Sequence, residues 1–251
     1  MLTDQRHQII RYELKVHGTV VAAALAEKFG VSEDTVRRDL RELAKGGECR
    51  RVYGGAVAPA PYAGSIAARS VHATGEKSRL AKVTVKLLKA GQTLFIDSGT
   101  TNVAIAQALP QNLSSIVATN SVGVAAALAE HPNVELIILG GSLLREAGAT
   151  VGAETVQAVS RLNADLFILG SCGIDASEGA TAFDAAEAEV KRAMVANSRA
   201  VLVASTREKL GTAAPFRVAP IEAIGHLVVD KDTPREKLAG FQGNSLMLHF
   251  A

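Results

Sequence analysis

Four clusters of small polar residues carry the chemistry of this 251-residue chain. Asp97-Ser98-Gly99-Thr100-Thr101 combines a glycine turn with three hydroxyls and opens a helical stretch. Backbone N–H groups, O–H donors and the positive end of a helix dipole then face one point, an arrangement that holds an anion. A nucleotide-type P-loop is excluded, because no Gly-Lys-Ser/Thr follows the glycine at the required spacing. Thr119-Asn120-Ser121, Gly140-Gly141 and Gly170-Ser171-Cys172-Gly173 close three further apolar runs in the same way. One such ending is an ordinary helix cap. Four at one edge of a sheet make a pocket floor, which takes in Ser98, Thr119, Gly140, Gly141 and Gly173. Farther on, Asp184 and Glu187 form an Asp-x-x-Glu capping pair, and Glu187 and Lys191 share one helix face. Lys191 is either half of a surface pair or the pocket's partner for a phosphate or carboxylate.

A second constellation lies in the first sixty residues. Arg37, Arg38, Arg41, Lys45, Arg50 and Arg51 face only Asp39, Glu42 and Glu48. Residues 1–57 hold ten Lys and Arg against eight Asp and Glu, and the remainder holds seventeen of each. The body is therefore neutral and one patch is basic, as a nucleic-acid contact requires. The elements under this patch read as helices at 6–16 and 22–29, a Gly30-Val31-Ser32 turn, and a third helix capped by Ser32. Val36, Leu40 and Leu43 are its buried stripe. Asp34, Arg37, Arg38 and Arg41 then point outward, with Ser32 and Thr35 in the first turn. Two helices across a tight turn, the second bearing hydroxyls at its start and arginines on its free face, form a helix-turn-helix. Val52 and Tyr53 before a Gly54-Gly55 turn predict a hairpin wing carrying Arg50 and Arg51.

Residues 58–75 are rich in Ala, Gly and Pro and read as a linker. Beyond them strands are expected at 93–97, 115–119, 134–139, 165–170, 200–204, 226–229 and 245–250. Helices are expected at 76–89, 101–109, 121–130, 154–160, 184–196 and about 234–239. Continuous apolar strands alternating with helices predict a Rossmann-like, mostly parallel α/β domain over 76–251, with ligands at the carboxyl ends of its strands. The chain thus divides into a winged helix-turn-helix at 1–57, the linker, and this larger domain.

The composition bounds the rest. With 48% hydrophobic and 21% charged residues the chain is an ordinary globular one, and with 4% aromatics its core must be aliphatic. No run reaches the roughly 18 apolar residues of a membrane span, and the N-terminus lacks a signal peptide's basic end and apolar run. Cys49 and Cys172 have no ligand spacing, so neither zinc nor disulfides are expected, and a reducing, cytoplasmic setting is. No cofactor or catalytic group is expected. A sugar-phosphate isomerase with a DNA-binding appendage is the rival reading. It finds only Asp97, Asp175, Asp184 and Glu187 as acids or bases near the pocket.

The stretch VSEDTVRRDLRELAKGG followed by RRVYGGAV resembles the DeoR family of bacterial transcriptional regulators, with Val36 for the usual Ile and Tyr53 for the usual His. EKSRLA at 76–81, DSGTT at 97–101, TNS at 119–121, LGG at 139–141 and VGAE at 151–154 continue the resemblance. CGID at 172–175, EGAT at 178–181 and EAEVKR at 187–192 complete it. The resemblance implies a sensor domain similar in fold to ribose-phosphate isomerase. It also implies a phosphorylated sugar or related metabolite as effector, held by Asp97, Gly99, Thr100, Thr101, Asn120 and Lys191. A repressor of a carbohydrate-catabolic operon follows, binding double-stranded operator DNA as a homo-oligomer over two half-sites. One motif departs: where the family has Asp-x-Ser-Lys-Phe-Gly, this chain has Thr206 in place of the acid, with Lys209 and Gly211 kept.

Overall fold

A computed structural model describes residues 1–62, 64–242 and 246–251. The N-terminal unit runs α1 (Thr3–His17), β1 (Thr19–Val21), α2 (Ala22–Phe29), α3 (Glu33–Lys45), β2 (Arg50–Val52) and β3 (Gly55–Pro59). Ile10 and Leu14 of α1, Leu25 and Phe29 of α2, and Val36, Leu40 and Leu43 of α3 share one buried cluster. The stripe read from the spacing of α3 is the face it buries. Ser32 caps α3 by accepting from the Thr35 N–H at 3.2 Å. The wing hairpin turns at Tyr53-Gly54 rather than Gly54-Gly55, because Gly55 is already paired with Val52 and with Val21.

The segment expected as a linker is built into the molecule. It contains α4 (Ile66–Ser70) and leads directly into α5 (Thr74–Thr84). The larger unit continues with β4 (Thr93–Ile96), α6 (Thr100–Gln107), β5 (Ser115–Thr119), α7 (Val122–Leu128), β6 (Val134–Ile138), β7 (Ser142–Leu144), β8 (Ala149–Val151) and α8 (Ala153–Val159). Then come β9 (Leu166–Leu169), β10 (Gly173–Asp175), β11 (Gly179–Ala182), α9 (Ala185–Ala196), β12 (Val201–Ser205), β13 (Thr212–Ala213), β14 (Phe216–Ala219), β15 (His226–Val229), α10 (Arg235–Leu238) and β16 (Met247–Phe250). The predicted last strand was to begin at Ser245, which lies outside the described residues.

Seven strands form one parallel sheet in the order β16-β15-β12-β9-β4-β5-β6. Alternate residues feed opposite faces: Leu94 and Ile96 join one buried cluster, while Phe95, from the same strand, joins the other. Helices cover both faces, so the strands read as unbroken apolar runs. After β6 the chain crosses back to lay β9 on the far side of β4. The switch point of the sheet is therefore between β4 and β9, and the loops leaving it are Asp97–Gly99 and Gly170–Cys172.

Two smaller features were not foreseen: the β7–β8 hairpin and an antiparallel sheet, β10-β11-β14. Their strands are only three or four residues long, too short for a period-2 apolar signal to mark them. A third feature joins the two units. Beyond the wing, Ala58 and Pro59 of β3 pair in parallel with Thr212 and Ala213 of β13. Alongside, Gly18 (φ +81°) packs on Gly211 (φ +71°) so closely that a Cβ on Gly18 would stand 2.4 Å from the Gly211 carbonyl oxygen. The Thr19 hydroxyl donates to Asp175 at 2.7 Å across the same seam.

Candidate functional site

The basic face stands on α3. Arg37, Arg38 and Arg41 are exposed, as are Ser32 and Asp34, while Thr35 is half-buried. Arg37 is drawn back by Glu33 at 2.6 Å, whereas Arg38, Arg41 and Arg51 make no ion pair among the described residues. Arg50 departs from expectation. Its guanidinium donates to the Pro215 carbonyl at 3.0 Å, so it faces the larger unit. What aims α3 was not legible as a functional element. Buried Arg6 of α1 donates to both oxygens of Asp39, at 2.6 and 2.9 Å. Asp39, counted in the sequence among the acids opposing the basic patch, is thereby neutralised from beneath, and Glu48 is engaged by Arg11. The exposed face is more positive than its composition suggests. Arg6 and Asp39 lie 33 residues apart, and only the packing of α1 on α3 reveals them.

The second site lies at the switch point and is organised by a buried lysine. Lys191, on α9, ion-pairs with Asp97, lies 3.2 Å from Glu187, and donates to the Gly170 carbonyl at 2.6 Å. The other Asp97 oxygen accepts from Asn102 and from the Gly170 N–H, each at 2.7 Å. Burial alone would strip the Lys191 proton, but the charges of Asp97 and Glu187 outweigh it and hold the ammonium's pKa above the ordinary lysine value. Burial pushes the Asp97 carboxyl up to about 6 against the pull of Lys191 and the Gly170 N–H. Both groups are spent on each other and on the two strand ends. In this structure Lys191 and Asp97 bond to each other and to Gly170, tying the loop after β4 to the loop after β9.

Those loops line a small polar cleft formed by Ser98, Gly99, Thr101, Asn102, Gly170, Ser171 and Cys172, with Arg69 and Lys209 from other segments. Gly99 adopts φ +152° as the N-cap of α6, a conformation that an L side chain rarely adopts. Two buried polar atoms here have no partner, the Ser171 Oγ and the Arg69 Nε. The cleft opens into a cavity of about 340 Å³ that shares Arg69, Cys172, Glu187 and Lys209 with it. Thr100, Lys77, His72, Asp184, Tyr62 and Phe183 are among its other walls. Lys77 is buried and donates to the carbonyls of Arg69, at 2.7 Å, and His72. Lys209 donates to the Ser171 carbonyl at 2.8 Å. Burial lowers the pKa of both ammonium groups.

Of the expected effector residues, Ser98, Gly99, Thr100 and Thr101 line this space. The others are bonded or packed within the frame. Thr119 donates to the Ile96 carbonyl, and Asn120 to the Thr150 carbonyl at 2.8 Å, while the Asn120 Oδ1 is buried with no partner among the described residues. The Gly140 carbonyl accepts from Thr155, Gly141 packs on the same threonine, and Gly173 sits against Thr212. Thr119 to Gly141 lie at the ends of β5 and β6, whereas Gly173 starts β10 directly after the Gly170–Cys172 loop. Arg69, His72 and Tyr62 were missed because they fall in the stretch read as linker. Lys77 lay in view within EKSRLA.

A basic recognition helix in a three-helix winged unit, joined to a parallel-sheet domain, defines the class of DNA-binding transcription factors. The comparisons agree. Residues 6–61 match the DeoR-like helix-turn-helix domain, and 72–231 match the DeoR C-terminal sensor domain. The chain is 34% identical over 235 residues to the glycerol-3-phosphate regulon repressor of Escherichia coli (strain K12), covering 93% of each. It is 28% identical over 233 residues to the HTH-type transcriptional repressor GlcR of Bacillus subtilis (strain 168), covering 92% of this chain and 90% of that one. Among solved structures, ribose 5-phosphate isomerase A from Methanocaldococcus jannaschii aligns with a TM-score of 0.39 at 15% identity, over 53% of this chain and 52% of that one. The chain belongs to the DeoR family and is a DNA-binding transcriptional repressor. Among the described residues no helix is long and apolar enough to cross a membrane.

Proposed function

We propose that this repressor controls a carbohydrate-catabolic operon and leaves its operator when a phosphorylated sugar or related metabolite enters the switch-point cleft. The observation that carries the reading is the pair of buried, unpartnered groups, the Arg69 Nε and the Ser171 Oγ, in one cleft with the Lys209 ammonium. Buried polar atoms of this kind are stable when something supplies their missing hydrogen bonds. The cleft itself has room for only about 10 Å³, so a phosphate stands at its mouth in the wider cavity, where it offers acceptors to Arg69 and Lys209 beside Thr100 at the N-terminus of α6. The E. coli relative is named for a regulon of glycerol 3-phosphate, itself a phosphate ester.

In this reading Arg38 and Arg41 meet the operator directly, with Ser32 and Thr35 at base edges and Arg51 on the backbone of the duplex. One small helix-turn-helix covers little DNA, so the protein works as a cytoplasmic homo-oligomer on two half-sites. The test is fluorescence anisotropy of an operator selected by the purified protein from a random pool, titrated with phosphorylated metabolites and with their unphosphorylated parents. Release by phosphorylated compounds alone is expected. Release by neither, or equally by both, removes the phosphate from the reading.

A further inference from the structure

The charged cleft explains one end of a ligand; the cavity beyond it has an aromatic wall that a phosphate does not need. Tyr62 stands edge-on to Phe183 with ring centroids 5.2 Å apart and planes at 88°. Both rings line the cavity, together with Pro61. Phe183 is half-buried, while Tyr62 is 67% exposed yet fixed by the pairing. An exposed tyrosine edge-on to a half-buried phenylalanine, beside ammonium and guanidinium groups, is a surface open to a third body.

We infer that the Tyr62–Phe183 pair is a specificity platform that selects the ring form of a sugar phosphate over an open-chain phosphate. The inference rests on the phosphate-sensing reading above and adds the shape of the rest of the ligand. Aromatic faces carry partial negative charge, and the axial C–H bonds on one face of a pyranose or furanose form a flat, weakly positive surface that lies against them. An open-chain polyol presents no such face and loses more conformational freedom on binding. The geometry suits a two-part ligand. The phosphate stands where the chamber meets the cleft, at Arg69 and Lys209, and the ring extends through the chamber under Tyr62. There the carboxylate of Asp184, one oxygen of which accepts from the Glu187 N–H at 2.9 Å, offers its second oxygen to ring hydroxyls. The chamber of about 340 Å³ lies at the lower end of the range for small-molecule sites and has room beyond the phosphate for a ring.

The experiment is calorimetric titration of the full-length protein with matched pairs. Glucose, galactose, mannose, fructose and N-acetylglucosamine 6-phosphates form the ring set. Sorbitol 6-phosphate, galactitol 6-phosphate and glycerol 3-phosphate form the open-chain set. At least one ring compound should bind several-fold more tightly than every open-chain one. Tyr62→Ala should cost that compound roughly three- to tenfold in affinity and close the gap, and Tyr62→Phe should keep it. An open-chain phosphate that binds as tightly as any ring compound overturns the platform and leaves the phosphate reading standing. So does a gap that survives Tyr62→Ala. If no phosphate of either set binds, the phosphate reading itself fails and the platform with it.

Discussion

Lys191 shows how a residue's burial changes its meaning. On a helical wheel it is a cation near a pocket; in the fold it is 2% exposed, with three acceptors around one ammonium. Lys191→Ala should therefore act on stability first, because it strands the Asp97 carboxylate in the interior. Removing one partner of a buried pair costs about 3–5 kcal/mol, and the double variant Asp97→Asn/Lys191→Met should recover much of that. Chemical denaturation of the two variants beside wild type measures this. A single variant as stable as wild type would mean that Asp97 finds water. Lys77 and Lys209 behave differently. Their pKa values fall below the unfolded-chain value because burial disfavours the charge, so each loses its proton at a lower pH than a free lysine does. An arriving anion restores the charged form. Binding of a phosphorylated effector should then take up protons, increasingly so on the alkaline side, and affinity should weaken as the pH rises further. Titrations in buffers of different ionisation enthalpy read the uptake directly. Heats independent of buffer would show that neither lysine meets the anion.

The DNA-reading element, α3, was the most legible part of the chain. Stripe and exposed arginines follow from a 3.6-residue period and the cap from Ser32; the seven principal strands were legible too, from apolar runs long enough to stand out. The polar strand endings were legible too, but not which of them matter. That depends on strand order, and order is set by a crossover that no local pattern encodes. Hence Gly140 and Gly141 at β6 looked equal to Gly99 at β4, and Arg69 on the short α4 was passed over as linker. Two substitutions separate what α3 does from what holds it. Arg38→Ala, on the exposed face, should leave the melting transition unchanged, weaken operator binding roughly ten- to hundredfold, and lower the salt slope by about one. Arg6→Ala, behind the helix, should lower stability by several kcal/mol through the exposed deficit at Asp39 and weaken binding without changing that slope. Equal salt slopes for the two variants would overturn the division of labour.

At the scale of the whole molecule, the seam between wing and sensor is the route we propose for the effector's signal. Lys209, on the cavity wall, lies two residues before Gly211, and Gly211 rests on Gly18 where α1 turns into β1. Thr212 and Ala213 then pair with β3. A ligand that moves Lys209 therefore moves the strand beside the wing. Gly18→Ala places a Cβ 2.4 Å from the Gly211 oxygen and forces the seam apart. The variant should still bind effector but release operator poorly, so that the concentration needed for release rises while the calorimetric affinity stays put. If the two midpoints move together, the seam is not the route.

The shared strand also bears on how such proteins can be recombined. Family boundaries at 61 and 72 invite a cut between them, as if reader and sensor were separate cartridges. Yet the last two residues of β3 find their neighbour on the other side of that cut, at Thr212 and Ala213. A fragment ending near residue 61 keeps its helices but bares a strand edge, and bare edges seek other edges. It should associate through this edge into species larger than any the full chain forms. A hybrid regulator should inherit operator choice without obedience to its new sensor unless the short run from Lys209 to Ala213 travels with the reader.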